Sequence, residues 1–235
     1  VVLQGGIGDV NGGSVSLKAG AGLGFGTAGS IGFLSGSSHD SDGGSIALAA
    51  GTSAIGTGGL VSLTSGSSME GGSGSISIES SPSIGKGHSG VVSIGSGPAA
   101  LSDTGGVTMM TGSSETSNAG SFSIVAGTSS LGAGAKLYVR GGDTSSLASA
   151  GGAISIQAGA GTNADAADGG GGGNVVVRAG SGFGRASNDD GGAVSFVAGD
   201  SSTGDGGGIS LSTGQSDISS SGPVTMVSGN AGVSG

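Results

Sequence analysis

Small apolar residues alternate with hydroxyl-bearing residues in short stretches of this chain, and glycines bound each stretch. GGSVSLKAG (12–20) shows the pattern, which GGSIALAAG (43–51) and GGAISIQAG (151–159) repeat. When the nine residues are numbered as positions one to nine, positions four and six are apolar. Positions three, five and seven are mostly Ser, Thr, Ala or variable. Alternation with a period of two over about seven residues predicts a β-strand with one buried face.

The same position four returns about every fifteen residues along the whole chain, which makes the sequence a repeat array. It is occupied in fifteen copies by Val1, Val15, Ile31, Ile46, Val61, Ile76, Val92, Val107, Phe122, Leu137, Ile154, Val175, Val194, Ile209 and Val224. Strands joined by connections too long for tight hairpins favour stacking over antiparallel pairing. The sequence therefore predicts an all-β fold, a parallel β-solenoid, in which 1–235 is one repeat array and a segment of a longer solenoid.

The number of strands in each coil of this solenoid has two solutions, one strand or two. Charged residues at the outward positions three, five and seven occur only in even-numbered copies, and they are Lys18, Glu79, Lys136, Arg140 and Arg178. Two strands in a coil of about 30 residues would place odd and even copies in two different sheets, which explains this parity. We therefore favour two strands per coil, and a coil of about 15 residues with one strand is the alternative.

Many connections carry one apolar residue, which we interpret as a plug at the edge of a thin core. These residues are Val10, Ile55, Ile84, Leu101, Leu131, Ile218 and Val233. A wide core is excluded by composition, because the 235 residues include 60 Gly, no Trp and only 3% aromatic residues. Such a composition is also typical of disordered chains, but the regular return of Val, Ile and Leu argues against disorder.

Charge and chemistry exclude several classes of function. The net charge is −9 and there are only six Lys and Arg, which predicts no nucleic-acid partner. No run reaches the roughly 18 apolar residues of a membrane span. His39 and His88 lack the spacing of a metal site. We expect no enzyme activity, no catalytic or metal-binding residues and no cofactor.

Acidic residues recur in several connections, where a calcium site and a solvated turn are the two interpretations. They are Asp40, Asp42, Asp165, Asp168, Asp189, Asp190, Asp200 and Asp205. Calcium-binding β-rolls place Asp at a fixed position in every turn, whereas here the spacing is irregular and many copies have none. We therefore favour solvated turns, in which Asp bonds its own backbone.

The outward positions of the odd-numbered copies form a candidate contact face, because they carry no charge and include scattered apolar residues. The residues that we assign to this contact face are Ser62, Ser93, Val125, Ser155, Ser195 and Thr225. A flat column of hydroxyls could instead bind ice or another crystal surface. Binding or processing of polysaccharide is disfavoured, because such a site needs aromatic platforms and paired carboxylates and Tyr138 is the one tyrosine.

The fifteen-residue repeat with the pattern GGxVxLxxG resembles the long Gly/Ser-rich β-solenoid proteins of algal and protist cell surfaces and extracellular filaments. This resemblance covers the entire chain. It implies an extracellular or cell-surface location and a structural role, and it brings no catalytic residues. We therefore expect a structural module of an extracellular filament, stalk or surface appendage that acts by coil stacking and lateral packing. The expected partners are other copies of the same filament protein and glycans.

Overall fold

The structure is a computed structural model that describes residues 2–165, 169–186 and 188–230. These residues contain no helix and no strand; the backbone is irregular, with turns and bends in the connections. The predicted β-solenoid is therefore wrong, and so are both versions of its coil. A β-solenoid needs hydrogen bonds between each segment and the segment stacked on it. In the described residues the backbone hydrogen bonds close the connections instead.

The predicted thin core is also absent from the described residues, because no hydrophobic side chain among them is buried. At position four the exposed fraction of the side chains from copy two onward lies between 48% and 60%. The predicted plugs are more exposed still, with Ile55 and Leu131 fully open to solvent. Val1 and Val233 lie outside the described residues. One strand-length segment without a stacked neighbour has nothing against which to bury its apolar side.

The chain divides into two units, Val1–Gly120 and Ser121–Gly235. The first unit contains copies one to eight and the second contains copies nine to fifteen. In both units a segment of positions three to seven is followed by a connection that a backbone hydrogen bond closes, except after copies six, seven, eight and fourteen. The organisation of 1–235 as one array of a longer protein stays a prediction.

The alternation of the sequence survives as an alternation of exposure within each segment. Three successive valines show it without a difference in side-chain type. Val175 and Val177, at positions four and six, are 55% and 64% exposed, while Val176 between them is 76% exposed. Side chains that point alternately to two sides are typical of extended backbone. The segments thus have one less exposed, apolar side, but they lack the neighbouring strand that would make them a sheet.

The two ends of a connection meet in a structure that we call the neck, formed by positions eight and nine of one copy and position two of the next. The backbone N–H at position two donates to the carbonyl at position nine, as Gly59 does to Gly51 at 2.9 Å. Ten connections of the described chain close in this way, with N···O distances of 2.8–3.1 Å. The donors are Gly13, Gly29, Gly44, Gly59, Gly74, Ala135, Gly152, Gly173, Gly192 and Gly207.

Position eight contains the least exposed residues that the structure describes. They are half-buried and small, and they are Gly5, Ala19, Ser65, Ser80, Ala126, Gly141, Ala158, Ala179 and Ala198. Where position eight is alanine or serine, its Cβ atom lies against position two across the neck. A Cβ atom added to Gly59 would lie 3.2 Å from the Cβ atom of Ala50, which is tighter than ordinary contact. Space therefore favours glycine at position two of this neck, although Ala135 occupies position two of another.

The glycines that flank the segments do not, in general, have the backbone conformation that the sequence leads us to expect. Glycines that flank strands are expected to adopt positive φ values at tight corners. Among the described glycines Gly24 alone does so, with φ of 82°. At Gly141 the requirement is close approach, because an added Cβ atom would overlap the carbonyl group of Gly152. The glycine frame thus serves mainly to bring two stretches of backbone together.

Candidate contact surface

The six residues assigned to the contact face are all exposed in the structure. Each lies in the segment of an odd-numbered copy, at position five or, for Val125, at position seven. Val125 is 85% exposed, whereas Ile124 beside it is 63% exposed and points to the other side. Since the described residues bury no side chain, exposure does not single out this face, and its role as a contact stays a prediction.

Charge distinguishes the odd copies from several of the even copies. No Asp, Glu, Lys or Arg occurs at any of positions one to nine in the odd-numbered copies. Within the even copies, Arg140 forms an ion pair with Asp143, three residues further along and in the following connection. Both side chains are well exposed, so this pair adds little to stability. Its effect is to place charge beside an even-numbered segment.

The backbone of the segments is the second feature of this surface. At positions three to seven of the described copies, the N–H and C=O groups make no hydrogen bond to other parts of the chain. By contrast, the necks and connections that flank each segment contain the hydrogen bonds. Unpaired backbone groups in a row, next to uncharged side chains, form an edge that can pair with another strand.

A recurring serine turn lies in the connections, and the sequence analysis missed it. A hydroxyl at position eleven, seven residues after position four, accepts the backbone N–H of a residue two or three positions later, as Ser53 does from Gly56 at 2.9 Å. The hydroxyl groups that act in this way belong to Ser38, Ser53, Ser68, Ser114, Ser129, Thr144, Ser201 and Ser216. The regular return of Ser at this position is the signal that could have revealed it.

The same serine turns explain why three of the predicted plugs, Ile55, Leu131 and Ile218, point outward. Ile55 lies inside the turn that Ser53 closes onto Gly56, and Leu131 lies inside the equivalent turn from Ser129 to Gly132. The bend holds the apolar side chain at the tip of the connection, away from the neck. A residue at such a tip cannot reach the apolar side of the segments.

Neither a pocket nor a metal site appears in the part of the chain that the structure describes. No group of three or more His, Cys, Asp and Glu residues could hold a metal ion there. Two carboxylates of the acidic connections make local bonds: Asp189 accepts the N–H of Ala186 at 2.8 Å, and Asp40 bonds the ring of His39 at 2.7 Å. Asp168 lies outside the described residues.

Comparisons with known proteins give no relative: no family model, no curated protein and no solved structure matches the chain. Within the described ranges, none of the backbone forms a helix with the length and apolar character needed to cross a membrane.

Proposed function

We propose that this chain is a structural segment of an extracellular filament, stalk or surface appendage, and that it associates laterally with other copies of itself. The observation that carries the proposal is the repeated apolar side of the segments, which the described chain leaves exposed in every copy. Apolar side chains that stay exposed in copy after copy are typical of a site of association. Burying it contributes about 25 cal/mol per Å².

The apolar side recurs often along the odd-numbered segments. Copies three to fifteen of the odd series provide fourteen side chains at positions four and six, and their exposed fractions lie between 48% and 88%. Full burial of such a side chain contributes about 1.5–3 kcal/mol when it starts fully exposed, so a half-exposed one still contributes roughly half of that.

A second copy is the partner that these features favour. It repeats its apolar residues at the same fifteen-residue period, so many copies can meet their counterparts at once. Charge indicates where such a contact would form. A chain of net charge −9 repels its own copies, so contact is least unfavourable at the odd-numbered segments, which are free of charge. The contact face of Ser62, Ser93, Val125, Ser155, Ser195 and Thr225 belongs to these segments. Glycans are a further expected partner at the cell surface.

Sedimentation and electron microscopy of the full chain over a range of concentrations test this proposal. We expect oligomers or filaments, and we expect Ile94→Glu combined with Ile156→Glu, which place charge on the apolar side of two odd-numbered segments, to raise the concentration for half-assembly at least tenfold. The control combines Leu17→Glu with Ile78→Glu, which alters the same position six in two even-numbered copies that already carry a charge, and should have a smaller effect. A chain that stays monomeric at every concentration, or that instead slows ice growth as a monomer, contradicts the proposal.

A further inference from the structure

We infer that the association is made by the main chain: the odd-numbered segments of one copy pair with those of a second copy as an intermolecular β-sheet. This inference rests on the proposed function and adds the mode of contact. Its basis is the juxtaposition of unpaired backbone with uncharged, strand-forming side chains in the odd-numbered segments. Segments 91–95, 121–125 and 153–157 are examples in copies seven, nine and eleven.

The hydrogen-bonding capacity of these segments is unused within the described chain. Residues 121–125 present five N–H and five C=O groups, none of which bonds another part of the backbone. The composition suits a strand, because Phe122, Ile124 and Val125 belong to the residue types that strands prefer. A segment with these properties needs a neighbour to become a strand, and a single chain does not supply one.

Side chains make the odd-numbered segments better sheet edges than their charged neighbours. Natural edges are protected from pairing by charged residues, especially Lys. Lys18, Glu79 and Lys136 provide such protection in even copies, and nothing equivalent stands in the odd copies. Ser93 and Ser155, at the centre of two odd segments, are small enough to let a second chain approach.

The necks limit where this pairing can occur and so favour a single register. Each closed neck uses one N–H and one C=O for its own bond, as Gly152 and Gly142 do before segment 153–157 and Gly173 and Gly159 do after it. Pairing at such a segment is thereby confined to the residues between its two necks. A shift by one residue would exchange the apolar and hydroxyl sides, which is unfavourable wherever one side is covered. A shift by one copy would bring odd segments against even ones, several of which are charged.

The test uses proline, which removes a backbone donor and does not fit within a sheet. We compare the full chain with the double variant Ser93→Pro and Ser155→Pro, and with the even-numbered control Ser16→Pro and Ser77→Pro, whose two copies carry a charge at position seven. We expect the unaltered chain to gain the infrared amide I band of β-sheet on assembly, and aligned assemblies to diffract at about 4.7 Å. The odd proline variant should need at least tenfold more protein to assemble, and the even variant about the same amount as the unaltered chain.

A second pair of substitutions separates loss of the backbone donor from loss of the hydroxyl group. Ser93→Val with Ser155→Val keeps both N–H groups and raises strand preference, so assembly should occur at the same or a lower concentration. Weaker assembly of this valine variant would show that the hydroxyl groups make the contact and would overturn the inference. Hydrogen exchange at the Gly59 and Gly207 necks of the monomer checks that each variant keeps its connections closed.

The outcomes distinguish the two proposals. Assembly without the β-sheet band, or assembly that odd and even prolines weaken alike, overturns main-chain pairing but leaves lateral association intact. If the unaltered chain does not assemble, both proposals fail. A β-sheet band that appears equally in the dilute monomer also overturns the inference, because the pairing would then lie within one chain.

Discussion

The necks and the segments between them use their backbone in opposite ways. At a neck, an N–H and a carbonyl meet at 2.8–3.1 Å and a small residue is half-buried. In the following segment the backbone groups bond no other part of the described chain, and the larger apolar residues stay exposed. The repeat therefore contains one part that is complete within a single chain and one part that needs a neighbour.

The length of the connections shows which of the two parts is constant. Gly13 follows its acceptor Gly6 by seven residues, whereas Gly173 follows Gly159 by fourteen, and the N···O distances are 2.8 and 2.9 Å. Insertions are thus accommodated beyond the neck, where added loop length has a small entropic cost. The neck is defined by the residue types at its ends, not by the number of residues that it encloses.

The largest effect is expected from a methyl group placed inside a neck. In Gly141→Ala, the new Cβ atom overlaps the carbonyl group of Gly152, so the two backbones must separate. Overpacking of this kind costs roughly 1–3 kcal/mol, which corresponds to about 5- to 150-fold faster amide exchange where the neck opens. The measurement is hydrogen exchange of the Gly152 N–H, whose acceptor is Gly142.

The matched control for this substitution is the adjacent residue. Gly142→Ala adds the same methyl group at position nine, where no atom lies within 4 Å of the new Cβ. Exchange of the Gly152 N–H should then change by less than about threefold, because an exposed substitution without a clash stays within roughly 0.5 kcal/mol. Equal effects of the two substitutions would contradict the description of the neck.

The sequence predicted the repeat and the two-sided character of its segments, but it did not predict how the glycines act. Gly141 and Gly142 are the same residue type in one frame, and only the structure shows that one of them has no room for a side chain. The alternation at Val175, Val176 and Val177 was predicted from their positions in the repeat, and it is present in their exposure. The step from that alternation to stacked coils was wrong, because alternation specifies a side chain's direction and not its partner.

A moderate effect on amide exchange is expected from the removal of a serine turn. Ser129→Ala removes the acceptor of the Gly132 N–H, which it holds at 2.9 Å. An exposed hydrogen bond contributes about 0.5–1.5 kcal/mol, so exchange of the Gly132 N–H should become roughly two- to twelvefold faster. The Ala135 N–H in the neck of the same connection should keep its protection, since its acceptor Gly127 is untouched.

The neighbouring serine supplies the control for this turn. Ser130→Ala removes a hydroxyl group that bonds nothing in the described chain, so exchange at Gly132 should stay as it was. If both substitutions speed exchange equally, the cause is the change of residue type in this connection and not the loss of the bond to Ser129.

This turn was predictable in part, because serine recurs seven residues after position four. Its effect on Leu131 was not, since an apolar residue in a connection has the same appearance whether it points inward or outward.

The smallest effect is expected from removal of calcium. In the connection before the Gly192 neck, the Asp189 carboxylate accepts the N–H of Ala186 and so closes a turn without an ion. Treatment with a chelator should therefore leave exchange of the Gly192 N–H unchanged within about twofold. The Gly59 neck is the internal control, because its connection contains no acidic residue. Acceleration at Gly192 alone, reversed by added calcium, would show that the acidic connections bind the ion. The difference between the two necks would then depend on a ligand and not on the chain alone.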